Sequence, residues 1–194
     1  YAGEGTIRSA KIIHGGEEAD LCLCRTKAHF SREGRDRILT LDPVDIEFDD
    51  LTVTLQTVIT FEEGSSRIRY DRKIIEMSDP EADVAVDEYM VACYGTTEYP
   101  EDMTGLTLSL GRDDENLELD YAYRSRERAM ASADYAACVL PPIGTRVSMT
   151  CTGRDKAGYF KEGYAFSPMF TLGYTGKLRQ EEVFRTWLNL EKAD

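Results

Sequence analysis

Histidine, tryptophan and catalytic signatures are all scarce in this chain. Its only histidines are His14 and His29, and none of its five cysteines forms a C-x-x-C pair, so a zinc site is not expected. There is no G-x-S-x-G nucleophile elbow, no P-loop and no G-x-G-x-x-G turn, which removes the common nucleophile and nucleotide signatures. On these grounds no metal and no cofactor is expected. No apolar run approaches the ~20 residues of a membrane-spanning helix. Basic residues are outnumbered 23 to 36, for a net charge of −13, so neither nucleic acid nor an anionic membrane is an expected partner. Internal repeats and low-complexity linkers are also missing, and 194 residues suit one large domain. The expectation is therefore a single β-sandwich domain spanning residues 1–194.

The five cysteines are Cys22, Cys24, Cys93, Cys138 and Cys151, an odd number set in apolar or β-rich stretches. They read as free, mostly buried thiols that behave as small hydrophobes. With no signal-peptide pattern at the start, that favours a reducing compartment, the cytoplasm. Tyr1 stands where a full gene product would carry Met, so a processed protein or an excised domain is expected.

What the chain does have is period-two alternation. From Leu51 to Glu62, Leu51, Val53, Leu55, Ile59 and Phe61 fall on one face, and Thr52, Thr54, Gln56, Thr60 and Glu62 on the other. Glu63-Gly64-Ser65-Ser66 turns the chain, and Arg67 to Ile75 returns as the second arm of a hairpin. Further strands are read at Ile7–Ile13, Leu21–Phe30 (with Cys22, Cys24, Ala28 and Phe30 inward), Ile38–Leu41, Asp45–Phe48, 84–94, 106–110, 117–124, 135–140, 146–152 and 164–174. Val84 to Tyr94 is apolar on both faces, as an interior strand should be. Strands at regular spacing with little helical periodicity imply an all-β fold, an antiparallel β-sandwich. Two stretches resist it. Arg126 to Ala137 has helix-favouring residues, and Glu181 to Leu190 fits a helical face and a strand face equally well. A short C-terminal helix is expected there.

Several surfaces carry chemistry. The polar hairpin face sets Thr52, Thr54, Gln56 and Thr60 beside Arg67, Arg69, Asp71 and Lys73. Guanidinium forks there can hold sugar oxygens or carboxylates, although cross-strand charge pairs on a solvated face are the plainer reading. The loop 95–102 places Glu98, Glu101 and Asp102 beside Tyr94 and Tyr99. An aromatic ring stacks on a sugar, and two carboxylates with separated pKa values act as acid and base; an ordinary acidic loop is the plainer reading. Asp79, Glu81 and Asp83 alternate, and Asp113-Asp114-Glu115 form a run, but neither has the glycine and closing glutamate of a calcium loop. The aromatic series Tyr159, Phe160, Tyr164, Phe166, Phe170 and Tyr174 reads as strand core before a sugar platform. The ligand-binding candidates are thus Arg67, Arg69, Glu98 and Tyr99; no catalytic residue is assigned.

The segment Thr57-Val58-Ile59-Thr60-Phe61-Glu62-Glu63-Gly64-Ser65-Ser66-Arg67-Ile68-Arg69 resembles a hairpin of the super-sandwich found in galactose-mutarotase-like carbohydrate-active proteins. The resemblance covers some 25 residues. It implies two large stacked antiparallel sheets in an accessory or sugar-handling domain. That family's catalytic histidines and glutamate match no position here, so no activity is carried over. The resulting expectation is a carbohydrate-binding or accessory domain of a carbohydrate-processing system. Its alternatives are a sugar-active enzyme using paired carboxylates and a non-catalytic structural or assembly module.

Overall fold

A computed structural model describes residues 7–93, 107–112, 115–120, 128–140, 144–162 and 169–192. Among them are sixteen strands and a single 3-10 turn, arranged as two antiparallel sheets. The strands are β1 (Ile7–His14), β2 (Glu17–Asp20), β3 (Ala28–Glu33), β4 (Asp36–Leu41), β5 (Val44–Glu47), β6 (Thr52–Phe61), β7 (Arg67–Met77) and β8 (Val84–Cys93). The second half supplies β9 (Thr107–Arg112), β10 (Glu115–Asp120), β11 (Arg128–Ala131), β12 (Tyr135–Leu140), β13 (Thr145–Thr152), β14 (Arg154–Glu162), β15 (Met169–Leu178) and β16 (Val183–Lys192). The smaller sheet has six strands in the order β11-β14-β15-β8-β1-β2. The larger has ten, in the order β10-β9-β12-β13-β16-β7-β6-β4-β3, with β5 also paired to β6. The fold is an all-β sandwich.

Side chains from both sheets interdigitate to form the core. Ile12, Val84, Val86, Met90, Leu172 and Tyr174 come from the smaller sheet, and Val53, Leu55, Ile74, Met149, Phe184 and Leu188 from the larger. Alternation decides which residue goes where, since one strand face is apolar and the other is not. The expected hairpin is β6–β7, with Gly64 at φ +77 in its turn, a backbone region that favours glycine. Leu55 is buried as expected; Ile59 is half-buried against the core. A bulge between Thr54 and Leu55 shifts the register, and this lets both Ile74 and Met77 of β7 face inward. The stretch 84–93 is an interior strand, as its two apolar faces imply, lying between β15 and β1.

Three expectations are corrected. Val183 to Lys192 is a strand, not a helix, because β7 pairs with Val183–Asn189 on one side and β13 with Arg185–Lys192 on the other; pairing overrides an ambiguous local pattern. Arg128 to Ala131 is an edge strand on β14 rather than a turn of helix. Leu21 to Leu23 is a 3-10 turn, not the start of a strand: the Asp20 carboxylate accepts the Cys22 amide at 2.9 Å and captures the backbone before a ladder can form. Cys22 is consequently exposed, and β3 is an exposed edge strand whose Phe30 is 76% accessible instead of inward. Cys138 and Cys151 are buried free thiols, and burial pushes Cys138 up to about 12, which leaves it inert. Tyr159, Phe160 and Tyr174 belong to the core, as the strand reading of the aromatic series requires.

One end of the sandwich is held by charge. Asp83, just before β8, accepts from Arg154, and from Arg179 Nε at 2.6 Å. These two guanidinium hydrogen bonds hold the Asp83 carboxyl below its ordinary value of 3.8. A depressed carboxylate pKa contributes stability above that value, and the contribution is lost as pH falls through the folded-state value. Thermal melts between about pH 5 and pH 2 should therefore decline less steeply for Asp83→Asn than for the parent. Parallel acid limbs would contradict this role.

Candidate functional site

The outer face of the ten-stranded sheet brings the polar side chains together. On β7 the even residues Tyr70, Arg72 and Ile74 are buried between the sheets, so Arg67, Arg69, Asp71 and Lys73 point away from them. The same parity turns Arg185, Trp187 and Asn189 of β16 outward, opposite buried Phe184, Thr186 and Leu188. Register aligns them in rows across four strands. One row runs Thr60, Arg69, Trp187, Thr150; the next runs Val58, Asp71, Arg185, Thr152. A third places Arg67 beside Asn189 and Ser148.

Contacts within these rows are specific. Arg185 donates to both oxygens of Asp71, Nε to Oδ1 at 2.5 Å and a terminal nitrogen to Oδ2 at 3.0 Å. Arg69 donates to the Thr60 hydroxyl at 3.1 Å, and its Nε lies 3.4 Å from Asp71 Oδ2. The Arg67 and Arg185 guanidinium carbons lie 5.6 and 5.8 Å from the centre of the Trp187 ring, within cation–π range. Ser66 in the hairpin turn donates to Asn189 Oδ1 at 3.0 Å. The face thus combines guanidinium donors, a carboxylate and an amide as acceptors, hydroxyls, and an aromatic ring. Of the four candidates read from the sequence, Arg67 and Arg69 lie here. Glu98 and Tyr99 lie outside the described residues, as does the rest of the loop 95–102.

Trp187 and Arg185 were not among the sequence candidates. Their signal was the strand alternative for the C-terminal segment, which sets Arg185, Trp187 and Asn189 on one polar face. A second omission lies between the sheets. Glu88 of β8 is fully buried, and its Oε1 accepts from Arg72 of β7 at 3.0 Å, with Arg72 only 6% exposed. Thr186 of β16 also lies against this carboxylate. Burial pushes Glu88 above the ordinary carboxylate range, and the Arg72 charge pulls it back. The pair is an ion bridge from one sheet to the other, enclosed by apolar core, and it does not reach the outer face. Its signal was a charge in each apolar register: Glu88 between Val86 and Met90, Arg72 between Tyr70 and Ile74.

Among the described residues no cluster of three or more histidines, cysteines or carboxylates could hold a metal ion, and no helix is long and apolar enough to cross a membrane. Asp83, one of the alternating carboxylates considered for calcium, is engaged by its arginines instead.

The two stacked antiparallel sheets form a fold consistent with the resemblance of the hairpin to galactose-mutarotase-like proteins. Solved structures share it. The Slr1438 protein from Synechocystis sp. PCC 6803 aligns with a TM-score of 0.63 at 9% identity, covering 97% of this chain and 75% of its own. A provisionally assigned aldose 1-epimerase from Escherichia coli K12 aligns with a TM-score of 0.55 at 11% identity, covering 94% of this chain and 79% of its own. No family model and no curated protein matches the chain by sequence. At these identities the likeness is one of fold.

Proposed function

We propose that the outer face of the ten-stranded sheet, centred on Arg69 and Trp187, binds carbohydrate, and that the chain serves as a binding or accessory domain in a carbohydrate-processing system. The observation that carries this reading is the alignment of Thr60, Arg69, Trp187 and Thr150 in one row beside Asp71 and Arg185. Saccharides present hydroxyls that both donate and accept. The face answers with guanidinium and hydroxyl groups and an aromatic ring within one side-chain length, beside the Asp71 carboxylate that Arg185 and Arg69 hold in place. The provisional aldose 1-epimerase among the proteins of this fold is consistent with a sugar ligand. In these rows Asp71 is the one carboxylate, so the paired acid and base of a glycosidase is not supported here. The paired-carboxylate enzyme alternative rests on Glu98, Glu101 and Asp102, outside the described residues.

The test is capture on a glycan array, followed by calorimetric titration of the captured glycan against Arg69→Ala and Trp187→Ala. Each variant is first checked for an unchanged melting temperature. Loss of the Arg69 fork should weaken binding by about 1.5–3 kcal/mol, the range for hydrogen bonds to charged groups. Both variants binding as tightly as the parent would move the site elsewhere and favour the assembly-module alternative.

A further inference from the structure

We infer that the ligand of this face carries an oxyanion, a carboxylate or a phosphate on a sugar, and that Arg67 is the residue that reads it. The inference rests on the carbohydrate-binding reading and adds the charge of the ligand. The three rows hold three guanidiniums, Arg67, Arg69 and Arg185, against the single carboxylate of Asp71. That carboxylate is committed: Arg185 takes both of its oxygens, and Arg69 Nε approaches one of them at 3.4 Å. Arg69 spends a terminal nitrogen on Thr60. Arg67 differs from both. Its guanidinium rests 5.6 Å from the Trp187 ring centre, and no carboxylate among the described residues pairs with it.

A cation held on an aromatic face is oriented without using its N–H donors. Arg67 therefore presents a planar fork, set beside the indole and open to two oxygens of one group. Carboxylate and phosphate match that fork, and a lone sugar hydroxyl does not. The indole, flanked by Arg67 and Arg185, lies beside both guanidiniums.

The experiment uses the intact chain on an array of neutral glycans matched to uronate-bearing and phosphorylated counterparts, with Arg67→Gln and Arg67→Lys run beside it. The expected result is retention of acidic over neutral members by about tenfold or more, a preference abolished in Arg67→Gln and only partly kept in Arg67→Lys. Higher salt should erode it. The uronate and phosphate arms show which group supplies the oxygens. Equal capture of neutral and acidic members, or a preference unchanged in Arg67→Gln, would overturn this inference and leave the carbohydrate reading in place. Capture of neither class would overturn both.

Discussion

Truncating Arg72 to alanine is expected to destabilise the fold by about 3–5 kcal/mol, because it strands the Glu88 carboxylate inside the sandwich without a partner. Glu88 has no exposed surface, and among the described residues the guanidinium that bonds it is that of Arg72. Along the strands the neighbours are apolar, Val86 and Met90 on the face of Glu88 and Tyr70 and Ile74 on that of Arg72, with the Thr186 hydroxyl beside the carboxylate. Water cannot substitute for the lost charge there without opening the core. Removing both charges is a different experiment. Arg72→Met with Glu88→Met roughly keeps the volume and leaves no charge unpaired, so the double variant should recover most of the loss. Denaturant unfolding of the parent, both single variants and the double variant measures this directly. An Arg72→Ala protein within about 1 kcal/mol of the parent would contradict the buried bridge.

A comparable loss, about 3–5 kcal/mol, is expected for Phe184→Ala. The ring is fully buried and sits against two glycines, Gly176 of β15 and Gly153 between β13 and β14. A Cβ built on either glycine would come within 2.6 Å of it. Glycines have no side chain to swing into the vacated space, so the cavity would persist and its cost would be near the top of the usual range. The complementary change, Gly176→Ala, pushes a methyl into the ring and should also destabilise, by about 1–3 kcal/mol. If Phe184→Ala unfolds at the parent's denaturant midpoint, β16 is not seated as described.

Much of the architecture was legible because alternation is a direct record of a two-faced strand. Leu51 to Glu62 shows it plainly, and β6 forms there with Leu55 inward and Thr60 opposite Arg69. Legibility failed where local and tertiary signals diverged. Val183, Phe184, Trp187 and Leu188 satisfy a helical stripe as readily as a strand, and only the neighbouring β7 and β13 decide between them. Cys22 and Cys24 alternate like strand residues, yet a single side-chain bond from Asp20 turns the backbone. The site was half legible for a related reason. Arg67 and Arg69 could be read from their own hairpin, whereas Trp187 and Arg185 join them only through strand pairing across more than a hundred residues of chain. Glu88 and Arg72 were hidden differently: each looks like an interruption of an apolar face until the two faces meet.

The central claim is that the ligand sits on the outer face of β6, β7, β16 and β13. Nuclear magnetic resonance on isotope-labelled protein, titrated with the glycan that the array retains, tests it most directly. The account predicts that the Trp187 indole N–H and the Nε–H signals of Arg67, Arg69 and Arg185 shift first and furthest, with Arg72 of the interior bridge unmoved. Shifts that leave these four side chains in place and gather on the smaller sheet or the β3 edge would contradict it.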